Sequence, residues 1–114
     1  MSDCLFCQIA EGGISARIAY EDDELIAFHD VAPKAPTHIL VIPRRHVGTL
    51  LDLGSEDAGL LGRMQMAAIH LARELGLDRS GFRLVTNCLE DAGQSVFHIH
   101  LHLLGGRQMG WPPG

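Results

Sequence analysis

Basic residues are scarce in this chain: 9 Lys and Arg stand against 14 Asp and Glu, for a formal net charge of −5. That balance excludes a general nucleic-acid binder, because affinity for a phosphate backbone needs clustered Lys and Arg. It leaves room for a small phosphate ligand held by local donors. No apolar run approaches the ~18 residues of a membrane span, and the N-terminus lacks the charged-then-apolar pattern of a secretory leader. The expectation is a soluble, cytoplasmic protein with no membrane and no nucleic-acid partner. The three cysteines, Cys4, Cys7 and Cys88, make an odd count that suggests a reducing compartment rather than a disulfide framework. Cys88, alone after a strand, reads as a small half-buried residue. Repeats, low-complexity tracts and linkers are missing too. What remains is 114 residues, 46% hydrophobic and 20% charged, enough for one core in a single domain over 1–114.

Local patterning places a short helix over 4–11, stopped by Gly12-Gly13. Strands follow at 18–20 and 25–29 around an acidic turn, and a β-rich run at 37–42 lies after the Pro33 and Pro36 loop. Ser55 reads as the N-cap of the one long helix, with Glu56 and Asp57 in its first turn. Leu60, Leu61, Met64, Ala67, Ala68, Leu71 and Leu75 then recur at helical spacing until Gly76. The last strands are 82–87 and 97–104, joined through a loop at Gly93. One long and one short helix among non-alternating strands give an α+β class with a mainly antiparallel sheet. Lys34, Arg44 and Arg45 read as solvated loop charges, and His70 as an exposed residue of the long helix.

The chemistry concentrates in His98-Ile99-His100-Leu101-His102-Leu103-Leu104. Successive side chains of a strand point to opposite faces, so His98, His100 and His102 share one face, with Phe97, Ile99, Leu101 and Leu103 on the other. A neutral imidazole attacks an electrophile through one nitrogen when an acceptor holds the other. His100 is central and flanked by two rings able to donate to oxyanions. The loop at Gly93, Gln94 and Ser95 adds backbone N–H groups, which suits a tetrahedral phosphorus centre. Ser95 could pass its hydroxyl proton to a leaving group. Spacing alone leaves three readings open: phosphate chemistry, a plain metal site, or a solvated strand face.

The His-x-His-x-His-x-x run, with x apolar, resembles the signature of the histidine triad (HIT) superfamily. Phe28-His29-Asp30, Ala35-Pro36-Thr37-His38, Val41-Ile42-Pro43, Gly93-Gln94-Ser95 and the tail from Leu104-Gly105-Gly106-Arg107-Gln108-Met109 to Trp111-Pro112-Pro113-Gly114 extend the likeness to its histidine triad nucleotide-binding (Hint) branch. The tail separates that branch from the dinucleoside polyphosphate hydrolases of the fragile histidine triad branch. The resemblance implies a HIT-like fold with a five-stranded sheet. It implies hydrolysis of purine nucleoside phosphoramidates through a covalent nucleotidyl-histidine on His100, with no cofactor needed for catalysis. The backbone carbonyl of His98 would orient His100. His102, with the amides near Gln94 and Ser95, would hold the α-phosphate, Ser95 would serve the departing amine, and Asn87 matches a phosphate-site residue. Asp30 matches the carboxylate for the ribose hydroxyls. Leu5, Phe6, Ile9, Phe28, His29, Val31 and Leu40 match the purine pocket, and His38 a buried histidine behind the triad. A homodimer is implied as well, with Trp111 near the partner's active site. Other enzymes of the superfamily, acting on dinucleoside polyphosphates or transferring nucleotidyl groups, and a non-catalytic nucleotide-binding protein are the alternatives.

Cys4-Leu5-Phe6-Cys7 departs from many members of that branch. A redox reading of C-x-x-C wants a thioredoxin-like βαβ pattern, which is absent. Zinc needs about four N/S ligands, and His46 and His98 are the best candidates to complete the set. The resemblance supports this, since some bacterial relatives with the cysteine pair hold structural zinc through a similar set. Two reduced cysteines packing the first helix are the alternative. If His98 binds zinc it cannot offer the same nitrogen to phosphate, and the oxyanion would fall to His102 and the loop amides.

Overall fold

The computed structural model describes residues 3–114. Five strands, β1 (Ile18–Glu21), β2 (Leu25–His29), β3 (Thr37–Pro43), β4 (Phe82–Val85) and β5 (Leu101–Gly105), form one sheet in the order β1-β2-β3-β5-β4. Every neighbouring pair is antiparallel. Helix α1 (Leu5–Ala10) and the long helix α2 (Ala58–Glu74) complete the α+β fold, with 3-10 turns at Leu50–Asp52, Ser55–Asp57 and Glu90–Ala92. No helix among the described residues is long and apolar enough to cross a membrane.

The central strands are buried on both faces, so they read as near-continuous apolar runs. Leu25, Ala27, Ile39, Val41, Leu101 and Leu103 pack against Leu60, Met64, Ala68 and Leu71 of α2. The alternate residues Ile26, Phe28, Leu40 and Ile42 meet Phe6 and Ile9 of α1 on the opposite face. In the β3–β5 ladder, Leu40 faces His102 and His38 faces Leu104. His38 and His102 are thus diagonal neighbours on the α1 side. Register across 64 residues of chain, not local sequence, brings them together.

Four local expectations are corrected. The long helix begins at Ala58, not after Ser55. Buried Asp57 turns its carboxylate back, Oδ2 accepting from the Gly54 N–H at 2.9 Å and Oδ1 from Arg45 at 3.0 Å, which winds Ser55–Asp57 into a 3-10 turn. Those two donors also hold the Asp57 carboxyl below the usual range, the Gly54 amide contributing most. Leu61 and Leu75 are exposed, while Ala72 joins the buried stripe. The histidine strand enters the ladder only at Leu101, because β4 ends at Val85 opposite His102 and the Ile99 N–H goes instead to the Val47 carbonyl at 2.7 Å. Phe97 consequently points out, 52% exposed, rather than into the core. Arg44 is not a solvated charge: it donates to the carbonyls of Asp22 and Ala10 and to the Glu21 carboxylate, tying the end of α1 to the β1–β2 turn. The stop at Gly76 stands as expected. At φ +76° it lets the Leu77 N–H reach the Ala72 carbonyl at 2.8 Å.

Candidate active site

A cavity of ≈ 350 Å³ opens between α1 and the sheet face it covers, within the range of about 300–1,000 Å³ usual for small-molecule sites. Leu5, Phe6 and Ile9 of α1 form one wall. Phe28 and Leu40 from the sheet and Val31 from the following loop form the other. Phe6 sets its ring edge-on to Phe28 and to His100, with centroids 5.4 and 5.1 Å away. His29 and Asp30 lie along one margin, and His100, His102 and Ser95 close the polar end. Burial pushes the His29 imidazole below its ordinary range, with Arg17 adding to the effect.

Hydrogen bonds fix the ring tautomers at that end. The carbonyl of His98 can only accept, so His100 donates Nδ1–H to it at 2.8 Å, and the lone pair of the neutral ring lies on Nε2. The Lys34 amide donates to His38 Nδ1 at 3.0 Å, which leaves the His38 proton on Nε2. That nitrogen lies 2.9 Å from His102 Nδ1 and 3.5 Å from Asp30 Oδ2. His102 therefore accepts at Nδ1 and carries its proton on Nε2, a buried donor with no partner among the described residues. A donor in that state is costly unless a ligand oxygen meets it. Asp30, His38 and His102 are close enough to resemble a ligand set for a metal. The protonated His38 Nε2 makes them a hydrogen-bond chain instead.

Burial, with His100 and His38 nearby, pushes the His102 pKa down to about 4. Burial also lowers His38, opposed by Asp30. The folded protein thus keeps His102 neutral while an unfolded imidazole titrates near 6.5. Between these values the unfolded chain binds more protons, so this group costs no stability above about pH 7 and destabilises progressively as pH falls from 6.5 toward 4. Melting temperature measured from pH 7 to 4 should fall, and His102→Gln should flatten the slope in that window. An unchanged slope would contradict the assigned protonation.

The Gly93–Ser95 loop is clamped through Gln94, whose buried side chain accepts from the Leu89 N–H and donates to the carbonyls of Gly48 and Val96. Gly93 supplies the left-handed turn at φ +85°, and Leu89 sits at φ +69°, a region that disfavours side chains. Gly93, Gln94 and half-buried Asn87 lie outside the cavity lining. Trp111 is also outside it, 83% exposed with the Arg83 guanidinium 5.9 Å from its ring centre. Ile14, Ser15, Ala16 and Val96 line the cavity but carry no signal in the sequence beyond a stray apolar residue after the Gly12-Gly13 break.

His98 stands apart. It is fully buried, and Nε2 donates to the Pro43 carbonyl at 2.7 Å. Its Nδ1 faces Cys4 Sγ at 3.4 Å and Cys7 Sγ at 3.5 Å, and Cys7 Sγ lies 3.2 Å from His46 Nδ1. No nitrogen of His98 points at the cavity, which corrects its expected share in holding an oxyanion. Its carbonyl, not its ring, serves His100. The four ligand atoms of Cys4, Cys7, His46 and His98 lie within 4.8 Å of one another and could hold a metal ion. Tetrahedral zinc, with Zn–S of about 2.3 Å and Zn–N of about 2.0–2.1 Å, separates sulfur and nitrogen ligands by about 3.6 Å. The donor set and its spacing fit, and the Pro43 carbonyl fixes the His98 tautomer as an outer partner of a metal ligand would.

The family model of the HIT domain matches residues 11–109. The chain belongs to the HIT domain family. A crystal structure of a HIT family hydrolase from Legionella pneumophila superposes with a TM-score of 0.96 at 51% identity, covering 98% of this chain and 100% of that one. An uncharacterized HIT-like protein of Synechococcus elongatus is 46% identical over 98% of this chain and 97% of its own length. The histidine triad nucleotide-binding protein of Candida albicans is more distant, at 28% identity and a TM-score of 0.82, covering 98% of this chain and 85% of that one. The HIT domain thus shares its five-stranded α+β fold with these structures.

Proposed function

We propose that this HIT domain is a purine nucleoside phosphoramidase of the Hint branch, releasing a nucleoside monophosphate and an amine. The observation that carries the reading is the pairing of two imidazoles of opposite role at one cavity end: a lone pair on His100 Nε2 and an unpartnered N–H on His102 Nε2. The neighbouring Asp30 carboxylate suits ribose hydroxyls, and the aliphatic and aromatic walls suit a purine. The Candida relative's name, a nucleotide-binding protein, and the Legionella relative's, a hydrolase, point the same way.

The His100 Nε2 lone pair forms a bond to the α-phosphorus while the P–N bond breaks. The departing electron pair goes to the amine nitrogen, which takes a proton from the Ser95 hydroxyl, replenished from water. His102 Nε2–H donates to a phosphoryl oxygen as charge builds there. Water then bonds to phosphorus, the N–P electron pair returns to His100, and the surplus proton leaves with product or solvent. The His98 carbonyl steadies the imidazolium of the intermediate through Nδ1–H.

Cys4, Cys7, His46 and His98 are read as the ligands of a structural zinc ion, which would tether α1 to the segment entering β5 and supply no chemistry at phosphorus. The branch assignment also carries a homodimer, with exposed Trp111 near the partner's site.

Turnover decides among the superfamily's reactions. AMP release from adenosine 5′-phosphoramidate should exceed that from a diadenosine polyphosphate by on the order of 10²-fold or more in kcat/KM, a gap of about 2.7 kcal/mol in transition-state stabilisation. A faster polyphosphate reaction overturns the substrate assignment, and tight AMP binding without turnover of either overturns the enzymatic one.

A further inference from the structure

Beside the nucleotide cavity lies a second, more open hollow of ≈ 560 Å³. Leu5, Ser95 and Val96 line both, so the two meet along a common rim at the proposed proton donor to the leaving group. The outer hollow is completed by Asp3, Cys4, His46 and Phe97. Phe97 and Leu5 both line it, and both are exposed, at 52% and 46%. Scattered exposed apolar residues mean little in themselves. Here, however, an aromatic ring and a leucine rim a hollow that adjoins the inner cavity, which gives it an apolar edge.

We propose that this hollow receives the amine half of the substrate and selects primary amines that carry an aromatic group. The inference rests on the phosphoramidase reading and names its leaving-group class. The inner cavity offers apolar walls and Asp30 to a nucleoside, so the remaining phosphorus substituent has to leave past Ser95. The first surface beyond Ser95 is Phe97, two residues on and turned outward because the chain has not yet joined the ladder. Asp3 contributes the one charged side chain in the lining among the described residues. A released primary amine, with a pKa of about 10, is an ammonium ion at neutral pH, and a carboxylate beside an aromatic ring complements such a cation. Cys4 and His46 stand in the same wall, so the group that could hold a metal also shapes the amine subsite.

The test compares two adenosine phosphoramidates that differ only in the amine, N-ethyl and N-(2-phenylethyl). The parent should favour the phenylethyl substrate by about five- to tenfold in kcat/KM, the range expected for an aromatic contact, expressed mainly in KM. Phe97→Ala should bring the ratio to within about twofold of unity, while Phe97→Tyr retains it. Asp3→Asn should weaken inhibition by 2-phenylethylamine severalfold. Cleavage of both substrates at equal rates by the parent, or a ratio untouched by Phe97→Ala, overturns the amine subsite and leaves the phosphoramidase reading intact. Failure to cleave either substrate overturns both.

Discussion

Replacing His100 by alanine should lower kcat for an adenosine phosphoramidate by on the order of 10⁴-fold or more while changing AMP affinity only a few-fold. Loss of a nucleophile removes the covalent route entirely, and comparable deletions elsewhere cost this much or more. Binding should survive because, on the proposed reading, the nucleoside is held by other groups: Phe28, Leu40, Ile9 and Asp30 line the cavity independently of the ring. Phe6 loses its edge contact with His100, which accounts for a modest affinity change. Single-turnover mixing of parent protein with substrate, quenched within one cycle, should find the nucleotidyl group on this imidazole. Retained turnover in the variant, or an adduct on another residue, refutes the assignment of the nucleophile.

The second large effect concerns Cys4 and Cys7 as the sulfur side of the proposed zinc site. Parent protein purified without chelator should contain about one zinc per chain, and Cys4→Ala less than a tenth of that. Melting temperature should fall by about 10 °C or more, since losing a bound structural metal removes several kcal/mol and each kcal/mol shifts a domain of this size by about 4 °C. Most of the hydrophobic core should persist, because the cluster between the sheet and α2 contains none of the four ligands. Cys88→Ala, at a cysteine outside the group, should leave zinc content unchanged. A parent with under a tenth of an equivalent would rule zinc out.

Much of this was legible in the chain. The alternating histidines announced β5, though it starts only at Leu101 and holds His102 alone of the three, and Cys4-x-x-Cys7 announced possible ligands. Helix stops at Gly12 and Gly76 followed from local conformation. What could not be read were features set by long-range register and by competition for backbone groups. The protonation chain from the Lys34 amide through His38 to His102 exists only because β3 and β5 pair as they do. The outward turn of Phe97 depends on where β4 ends, and Asp57 tightens its turn because its two carboxylate oxygens accept from Gly54 and from Arg45 at the same time. His98 fits the periodic pattern yet belongs to the cysteine group, since the chain has not yet joined the ladder at that residue.

Helix α1 has six residues, too few to hold its shape unaided in water. It nevertheless contributes Leu5, Phe6 and Ile9 to the cavity and Cys7 to the sulfur group, with Cys4 as its cap. Its shape therefore comes from the sheet it covers, where Phe6 and Ile9 pack with Ile26, Phe28, Leu40 and Ile42, and the cavity wall is only as firm as that contact. Anything that loosens α1 from the sheet would disturb the cavity and the Cys4–Cys7 group together.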